Sequence, residues 1–352
     1  MKNILVTGGA GFIGSHTCLL LLEKGYEVNV VDTFVNSSQK SLDKILEIIK
    51  LKNSSINPNL NIYEGDLRDK SFLENLFFDL HKNNKKLDGI IHFAGLKSVS
   101  ESVKNPLLYW EVNVMGSINL LEIMKKYNCN TFVFSSSATI YAQKENSLIT
   151  ESCELYPINP YGKTKLTIEI ILKDFFEASK INLKIASLRY FNPCGAHFSG
   201  LIGENPVGKP NNIFPLILNT ALGIQKQLEI YGDDWPTKDG TPIRDYIHVM
   251  DLAEAHINIL ENLFQNNQSF INLNIGTGIG TSVLELIKIF EKVNNIKLPY
   301  VFSKRRLGDA CYVVADNSKL INKFKIVPKF SIEDICRDGW KWKKQNPNGY
   351  KI

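Results

Sequence analysis

Tyr161 and Lys165 stand four residues apart in "NPYGKTK", a spacing that puts both side chains on one face of a helix. A free phenol titrates near a pKa of about 10, too high for a base at neutrality. An ammonium beside it favours the phenolate, and the positive ring of an oxidised nicotinamide would favour it further. Upstream, "FSSSATIY" carries Ser137 at the end of an apolar run. A hydroxyl there can hold a substrate oxygen and steady a proton. Serine, tyrosine and lysine in this order fit hydride chemistry on an alcohol. Taken alone, the tyrosine and lysine read equally as a surface pair, and the serines as turn caps.

The other end of the chain decides between these readings. "VTGGAGFIG" places Gly8, Gly11 and Gly14 after a β-branched run and at the head of a helical one. Glycines in that context allow a tight turn and a close approach of backbone to a pyrophosphate, whose charge the helix N-terminus favours. Asp32 closes the second strand, 18 residues past Gly14. A carboxylate there accepts ribose hydroxyls and repels a 2′-phosphate, favouring NAD over NADP. Asp66 ends the next strand and is placed to meet an adenine. Lys97, in "FAGLKSV", is placed to reach the nicotinamide ribose. Each of these two reads equally well as loop chemistry.

The elements that must position these residues are legible as alternation. Short β-branched runs at 3–8, 27–32, 60–66, 89–95, 131–137 and 183–192 are separated by helical stretches, among them 12–24, 71–81, 113–127 and 161–179. Several runs are continuously apolar, as in strands buried on both faces of a parallel sheet. The pattern predicts an α/β fold with a doubly wound, Rossmann-type parallel sheet. Residues 194–243 are rich in Gly, Pro and Asn and read as loops with one helix near 213–224. A strand at 271–276, a helix at 281–293 and a C-terminal tail follow. The expected division is a dinucleotide domain of 1–192 plus 244–278 and a smaller mixed α/β substrate lobe of 193–243 plus 279–352. The polar stretch 50–61 reads as a surface insertion.

Composition narrows the function class. The net charge of +5, without basic residues interleaved with aromatics, gives no reason to expect nucleic acid. Six scattered cysteines, with no CxxC pair or His cluster, fit neither a disulfide framework nor a metal site. No apolar run approaches the about 18 residues of a membrane span, and the N-terminus lacks signal-peptide order. A cytoplasmic protein is expected.

The glycine turn, Ser137 and Tyr161-x-x-x-Lys165 resemble the extended short-chain dehydrogenase/reductase family, and more narrowly its UDP-glucose 4-epimerase family. The matching segments include "VTGGAGFIGSHT", "HFAGLKSVSESV", "RYFNPCGAH", "YGDDWPTKDGTPIRDYIHVMDLA", "RRLGDA" and "QNPNGY", spread from residue 4 to residue 350. The resemblance implies that NAD is held by Gly8, Gly11, Phe12, Ile13, Gly14, Asp32, Asn36, Ser37, Asp66, Leu67, Phe93, Ala94, Gly95, Lys97, Asn113 and Phe191, with Ser137, Tyr161 and Lys165 beside it. It implies that Ser137, Tyr161 and Lys165 carry the catalysis. It also implies that a UDP-sugar is held by Asn192, Asn212, Ile213, Glu229, Tyr231, Arg244, Arg306 and Asp309, with Val313 lining the sugar pocket. A diphosphate needs cations, and arginine suits bidentate phosphate contacts, which supports Arg244 and Arg306 independently. A homodimer through helices 113–127 and 161–179 is implied as well.

Nucleotide-sugar 4,6-dehydratases resemble this pattern but carry an Asp–Glu pair after the serine. Here Ala138 and Thr139 follow Ser137, and neither can do acid–base work, so dehydration is not expected. Three positions depart from the commoner epimerase pattern: Ala142, Leu307 and Val313. The valine leaves more room than a tyrosine would, which predicts acceptance of N-acetylated sugars. The competing readings are a 4-epimerase of another nucleotide sugar, such as UDP-glucuronate, and a non-catalytic NAD sensor.

Overall fold

The run Asn3–Thr7 is buried at every position and forms the first strand, β1. With β2 (Glu27–Asp32), β3 (Leu60–Glu64), β4 (Gly89–His92), β5 (Thr131–Ser137), β6 (Lys184–Tyr190) and the strand Ser269–Ile275 it builds one seven-stranded sheet. The computed structural model describes residues 1–54, 57–142, 147–179, 182–206, 208, 210–306 and 308–350. The expected Leu307 departure lies outside the described residues.

The order across the sheet is Ser269–Ile275, β6, β5, β4, β1, β2, β3. Strands β3, β2, β1, β4 and β5 run parallel. Chain order reverses between β1 and β4, and ligands of doubly wound sheets bind at the carboxyl ends of strands at such a switch point. Central strands β1, β4 and β5 are buried throughout, whereas the edge strand β3 is half-buried. This is why the central runs read as continuously apolar.

Local chemistry sets where the helices begin. Asp69 caps α3 (Lys70–Lys82) by accepting from Phe72 N at 3.0 Å. Asn159 does the same for the helix Pro160–Ala178, accepting from Gly162 N at 2.8 Å, with Pro160 in the first turn. Proline is tolerated there because its missing N–H would have had no intrahelical partner. Helix α1 (Phe12–Glu23) differs, because its N-cap is Gly11 and no side chain caps it.

The chain divides into two compact units. The first comprises Met1–Tyr141, Leu155–Arg189 and Ala253–Leu273; the second comprises Ala142–Glu154, Tyr190–Leu252 and Asn274–Ile352. The second unit has its own core, with Phe214, Ile217, Leu228, Ile230, Ile287, Phe290 and Ile335 buried together. Two expectations need correction there. The stretch read as loops with one helix also contains the strand Leu228–Tyr231, which pairs in parallel with Tyr300–Ser303. The stretch read as a tail holds the helix Ile332–Gln345, started by a capping box between Ser331 and Asp334. The polar stretch 50–61 is likewise not all insertion, since α2 (Gln39–Lys52) runs into it and β3 begins at its end.

Candidate active site

The glycine turn lies where β1 meets β4. Gly8 has a φ of +69°, and a Cβ there would stand 2.6 Å from Ala94 N. A Cβ on Gly14 would strike the Gly8 carbonyl oxygen and stand 2.8 Å from Gly9 Cα. The fold itself therefore demands both glycines. Gly11 is different. Its φ is −72°, and an added Cβ would meet only the Gly8 oxygen, at 3.3 Å. Space above Gly11 and the uncapped amides of α1 behind it form a cradle of the kind that accepts a pyrophosphate. Phe12 and Ile13 open that helix, each half-buried.

Asp32 is buried and already busy. Its Oδ1 accepts from Phe34 N (3.0 Å) and Ser37 Oγ (2.7 Å), and its Oδ2 accepts from Ala10 N (3.0 Å). A carboxylate has about four acceptor sites, so a ribose hydroxyl must use the remainder or displace Ser37. Asn36 is exposed in the same loop. Asp66 is gripped by a residue the sequence reading passed over. Arg68 donates from its backbone N–H (2.8 Å), from Nε to both carboxylate oxygens (3.1 Å each) and from a terminal nitrogen (2.6 Å), holding the carboxyl below its usual range. The other terminal nitrogen reaches Glu111 at 2.8 Å. Leu67 is buried, and its carbonyl accepts from Asn119 Nδ2.

The Phe93–Lys97 segment follows β4. Phe93 packs against His256 at a centroid distance of 4.8 Å, and Lys97 is exposed. Asn113, in a π-helical turn Trp110–Met115, holds this segment. It accepts from Leu96 N (2.8 Å) and donates to Leu96 O and Thr164 Oγ1 (3.1 Å each). Thr164 in turn donates to the Tyr161 carbonyl at 2.7 Å. Asn113 is thus spent on joining the loop after β4 to the helix of Tyr161. Below it, Ser117 donates to Asn113 O, so the neighbouring His92 Nε2 is the protonated nitrogen, and Thr7 donates to His92 Nδ1. Burial, with the Lys165 charge added, pushes the His92 pKa down to about 3 and keeps it neutral.

Ser137, Tyr161 and Lys165 come together at the end of β5. Lys165 is buried and donates to the Ser135 carbonyl at 2.7 Å. Its Nζ lies 4.9 Å from the Phe134 ring centroid and 5.9 Å from that of Tyr161. Burial pushes its pKa down to about 7. Ser137 Oγ accepts from Thr139 N (3.2 Å) and Thr139 Oγ1 (2.9 Å), which leaves its own proton to reach Tyr161. The expected lowering of the Tyr161 pKa is reversed in the chain by itself: burial raises it, and the Ser137 hydrogen bond offsets only part of that rise. Lys165 donates to the Ser135 carbonyl and burial disfavours its charged form, so a nicotinamide cation in a loaded site would add to what favours the phenolate.

Ser137 and Tyr161, expected at the substrate as well, belong to the first unit; the other expected substrate residues fall in the second, most of them in two groups. Arg306 stacks on the Tyr231 ring at 3.9 Å and donates to Asn211 O at 3.4 Å, while the Tyr231 hydroxyl donates to Glu229 at 2.6 Å. Exposed Asn212 caps the helix Ile213–Ala221 by position only, with no side-chain bond. In the second group Arg244 lies 3.8 Å from Asp309, and Val313 pairs with Arg244 across short parallel strands. Asp309 N donates to Arg306 O at 3.2 Å, linking the groups. Asn192 pairs with Tyr246, and its N–H donates to Asp245 O. Phe191, expected with the cofactor residues, is buried in this unit. Ala142 donates its N–H to Glu154 O at 2.9 Å, a bond its methyl side chain does not touch.

Known proteins resemble this chain along its length. A family model described as GDP-mannose 4,6 dehydratase matches residues 5–339. A bifunctional UDP-glucose 4-epimerase and UDP-xylose 4-epimerase of Pisum sativum is 47% identical over 350 residues, covering 99% of this chain and 97% of its own. The UDP-glucose 4-epimerase of Bacillus subtilis is 47% identical over 348 residues, with coverages of 99% and 98%. Among solved structures, a UDP-glucose 4-epimerase of Stenotrophomonas maltophila with NAD and formylated UDP-arabinopyranose superposes with a TM-score of 0.92 at 40% identity, covering 99% of each chain. One from Bifidobacterium longum with NAD+ and UDP gives 0.91 at 42%, covering 99% of this chain and all of its own. Resemblance of this depth runs the full length of the sequence, and the chain belongs to the UDP-glucose 4-epimerase family of extended short-chain dehydrogenases/reductases.

Proposed function

We propose that the protein interconverts UDP-galactose and UDP-glucose at C4 with a resident NAD. The observation that carries this reading is the clustering of Ser137, Tyr161 and Lys165 in the unit that also bears the glycine cradle and Asp32. NAD fits that cradle, held at the pyrophosphate by α1 and Gly11, at the ribose by Asp32, and at its nicotinamide end by the loop that Asn113 fixes. Bound there, it supplies a reversible acceptor for the C4 hydride.

The chain's own residues do the rest. Tyr161 takes the proton of the C4 hydroxyl as the hydride leaves, and Ser137 holds that oxygen. Lys165 keeps positive charge behind the phenolate. Arg306 and Arg244 grip the diphosphate, with Tyr231 beside the nucleoside. A firm hold on UDP and a loose one on the sugar let the 4-keto sugar turn about its diphosphate link and present its other face. Tyr161 then returns the proton. Ala138 and Thr139 offer no acid or base for dehydration.

Two finer features belong to this reading. Val313 leaves room for an N-acetyl group, extending the substrates to UDP-N-acetylglucosamine and UDP-N-acetylgalactosamine. A homodimer would cover the exposed Val103, Leu107 and Met115, whose helices pack beside Pro160–Ala178, itself exposing Ile170. The six cysteines, none of them in a disulfide among the described residues, suit the cytoplasm.

The deciding experiment adds UDP-galactose to the purified protein without added NAD and follows UDP-glucose by chromatography. Conversion supports the reading. No conversion, even with NAD supplied, overturns it.

A further inference from the structure

Behind the catalytic residues lies a buried ion pair that the proposed chemistry does not use. Glu169 is one helical turn past Lys165 and two past Tyr161, so the three share a face of the helix Pro160–Ala178. Its carboxylate accepts from Arg189 Nε (3.0 Å) and a terminal guanidinium nitrogen (2.6 Å), and from Ser136 Oγ (2.5 Å). The other terminal nitrogen of Arg189 donates to the Tyr141 hydroxyl at 2.8 Å, and the guanidinium lies 5.1 Å from that ring's centroid. Glu169 and Arg189 are 5% and 1% exposed.

A buried pair of this kind is weak grounds for stability, because desolvation consumes much of its attraction. Its placement is more informative. Ser136 immediately precedes Ser137, and Tyr141 follows the turn Ala138–Ile140 that begins at Ser137. The pair therefore clamps the serine from both sides while its carboxylate is fixed to the helix of the base.

Resting on the function proposed above, we infer that Glu169 and Arg189 are positioning residues: they lock the Ser137 hydroxyl against Tyr161, so that the proton and the hydride move in one geometry. Hydrogen bonds of this type set distances that a side chain on a free strand end would not hold. The described hydrogen bonds of the pair run to Ser136 and Tyr141, on either side of Ser137.

The test uses Ser136→Ala and Tyr141→Phe, which each remove one hydroxyl, alongside Glu169→Gln. Bound NAD, KM for UDP-galactose, kcat and the single-turnover rate of nicotinamide reduction are measured well below the melting temperature. The expected result is unchanged NAD content and KM, with kcat and the reduction rate falling together, about 10-fold or more. A purely structural role would lower the melting temperature and leave both rates alone. Rates within two-fold of the unmodified protein in folded, NAD-loaded Ser136→Ala and Tyr141→Phe overturn the inference, whether or not Glu169→Gln folds. Absence of turnover in the unmodified protein would instead remove the function on which it rests.

Discussion

Gly11→Ala and Gly14→Ala separate what the fold needs from what the cofactor needs. At Gly14 an added methyl strikes the Gly8 carbonyl and stands 2.8 Å from Gly9 Cα, both backbone atoms that cannot step aside. Overpacking of this kind costs about 1–3 kcal/mol. In a unit of this size each kcal/mol lowers the melting temperature by about 2–4 °C, so a fall of roughly 5 °C is expected. At Gly11 the φ of −72° suits any residue, and the single contact is at 3.3 Å. Removing a flexible glycine there gains about 0.4–1 kcal/mol, against which the tight contact to the Gly8 oxygen works, so the net change is small. The same methyl, however, stands where a pyrophosphate must approach the backbone. Melting of NAD-free samples and isothermal titration with NAD read the two effects apart. Gly11→Ala should melt with the unmodified protein while its NAD affinity falls at least about 10-fold, the equivalent of 1.4 kcal/mol. A Gly11→Ala protein that binds NAD within three-fold of the unmodified one would refute the argument that the space above Gly11 belongs to the ligand.

Other perturbations follow from the same geometry. Tyr161→Phe should lower kcat by about 10²–10⁴ while purified NAD content stays the same; turnover near the original rate would remove Tyr161 as the base. Because burial holds Lys165 at about 7 in the folded chain against 10.5 unfolded, the unfolded state binds more protons between those values. Stability should therefore rise with pH above about 7, and urea titrations at pH 7 and about 8.5, below the range where phenols titrate, should show a rise that Lys165→Met reduces. Val313→Tyr should reduce turnover of UDP-N-acetylglucosamine and spare UDP-glucose; failure of the unmodified protein to turn over the N-acetylated sugar at saturation would sink the roomy-pocket reading. Leu107→Glu should shift the protein from dimer to monomer in light scattering, and a monomer before mutation would end the dimer proposal.

The parts of the fold legible in sequence were those written in period and punctuation. β1, β4 and β5 announce themselves because burial on both faces leaves continuous apolar runs. Asn159 and Pro160 mark the start of the catalytic helix by cap chemistry. The strand Leu228–Tyr231 was hidden because it is four residues long, with Glu229 exposed amid turn-forming neighbours. The helix Ile332–Gln345 was hidden by its charge, although Ser331 and Asp334 carry a capping signature. In the candidate site, Tyr161 and Lys165 are readable because one helix fixes both. Arg189 and Ser136 are not, because they meet Glu169 from other strands; only the four-residue step from Lys165 to Glu169 hints at them. Arg68 was missed for a different reason, since nothing local distinguishes a carboxylate-gripping arginine from a solvated one.

The three donors already gathered on Asp32 bear on time as well as affinity. The loop from Phe34 to Ser37 is tied to the carboxylate proposed to receive the ribose, so a ribose that displaces Ser37 makes entry and departure of the nucleotide each wait on that tie. A barrier met in both directions slows exchange without altering the equilibrium. For a reaction that returns its hydride in every cycle, slow exchange is no handicap: the oxidised cofactor is restored before it could leave. Loosening the loop, as Ser37→Ala would, should make the cofactor a visitor rather than a resident.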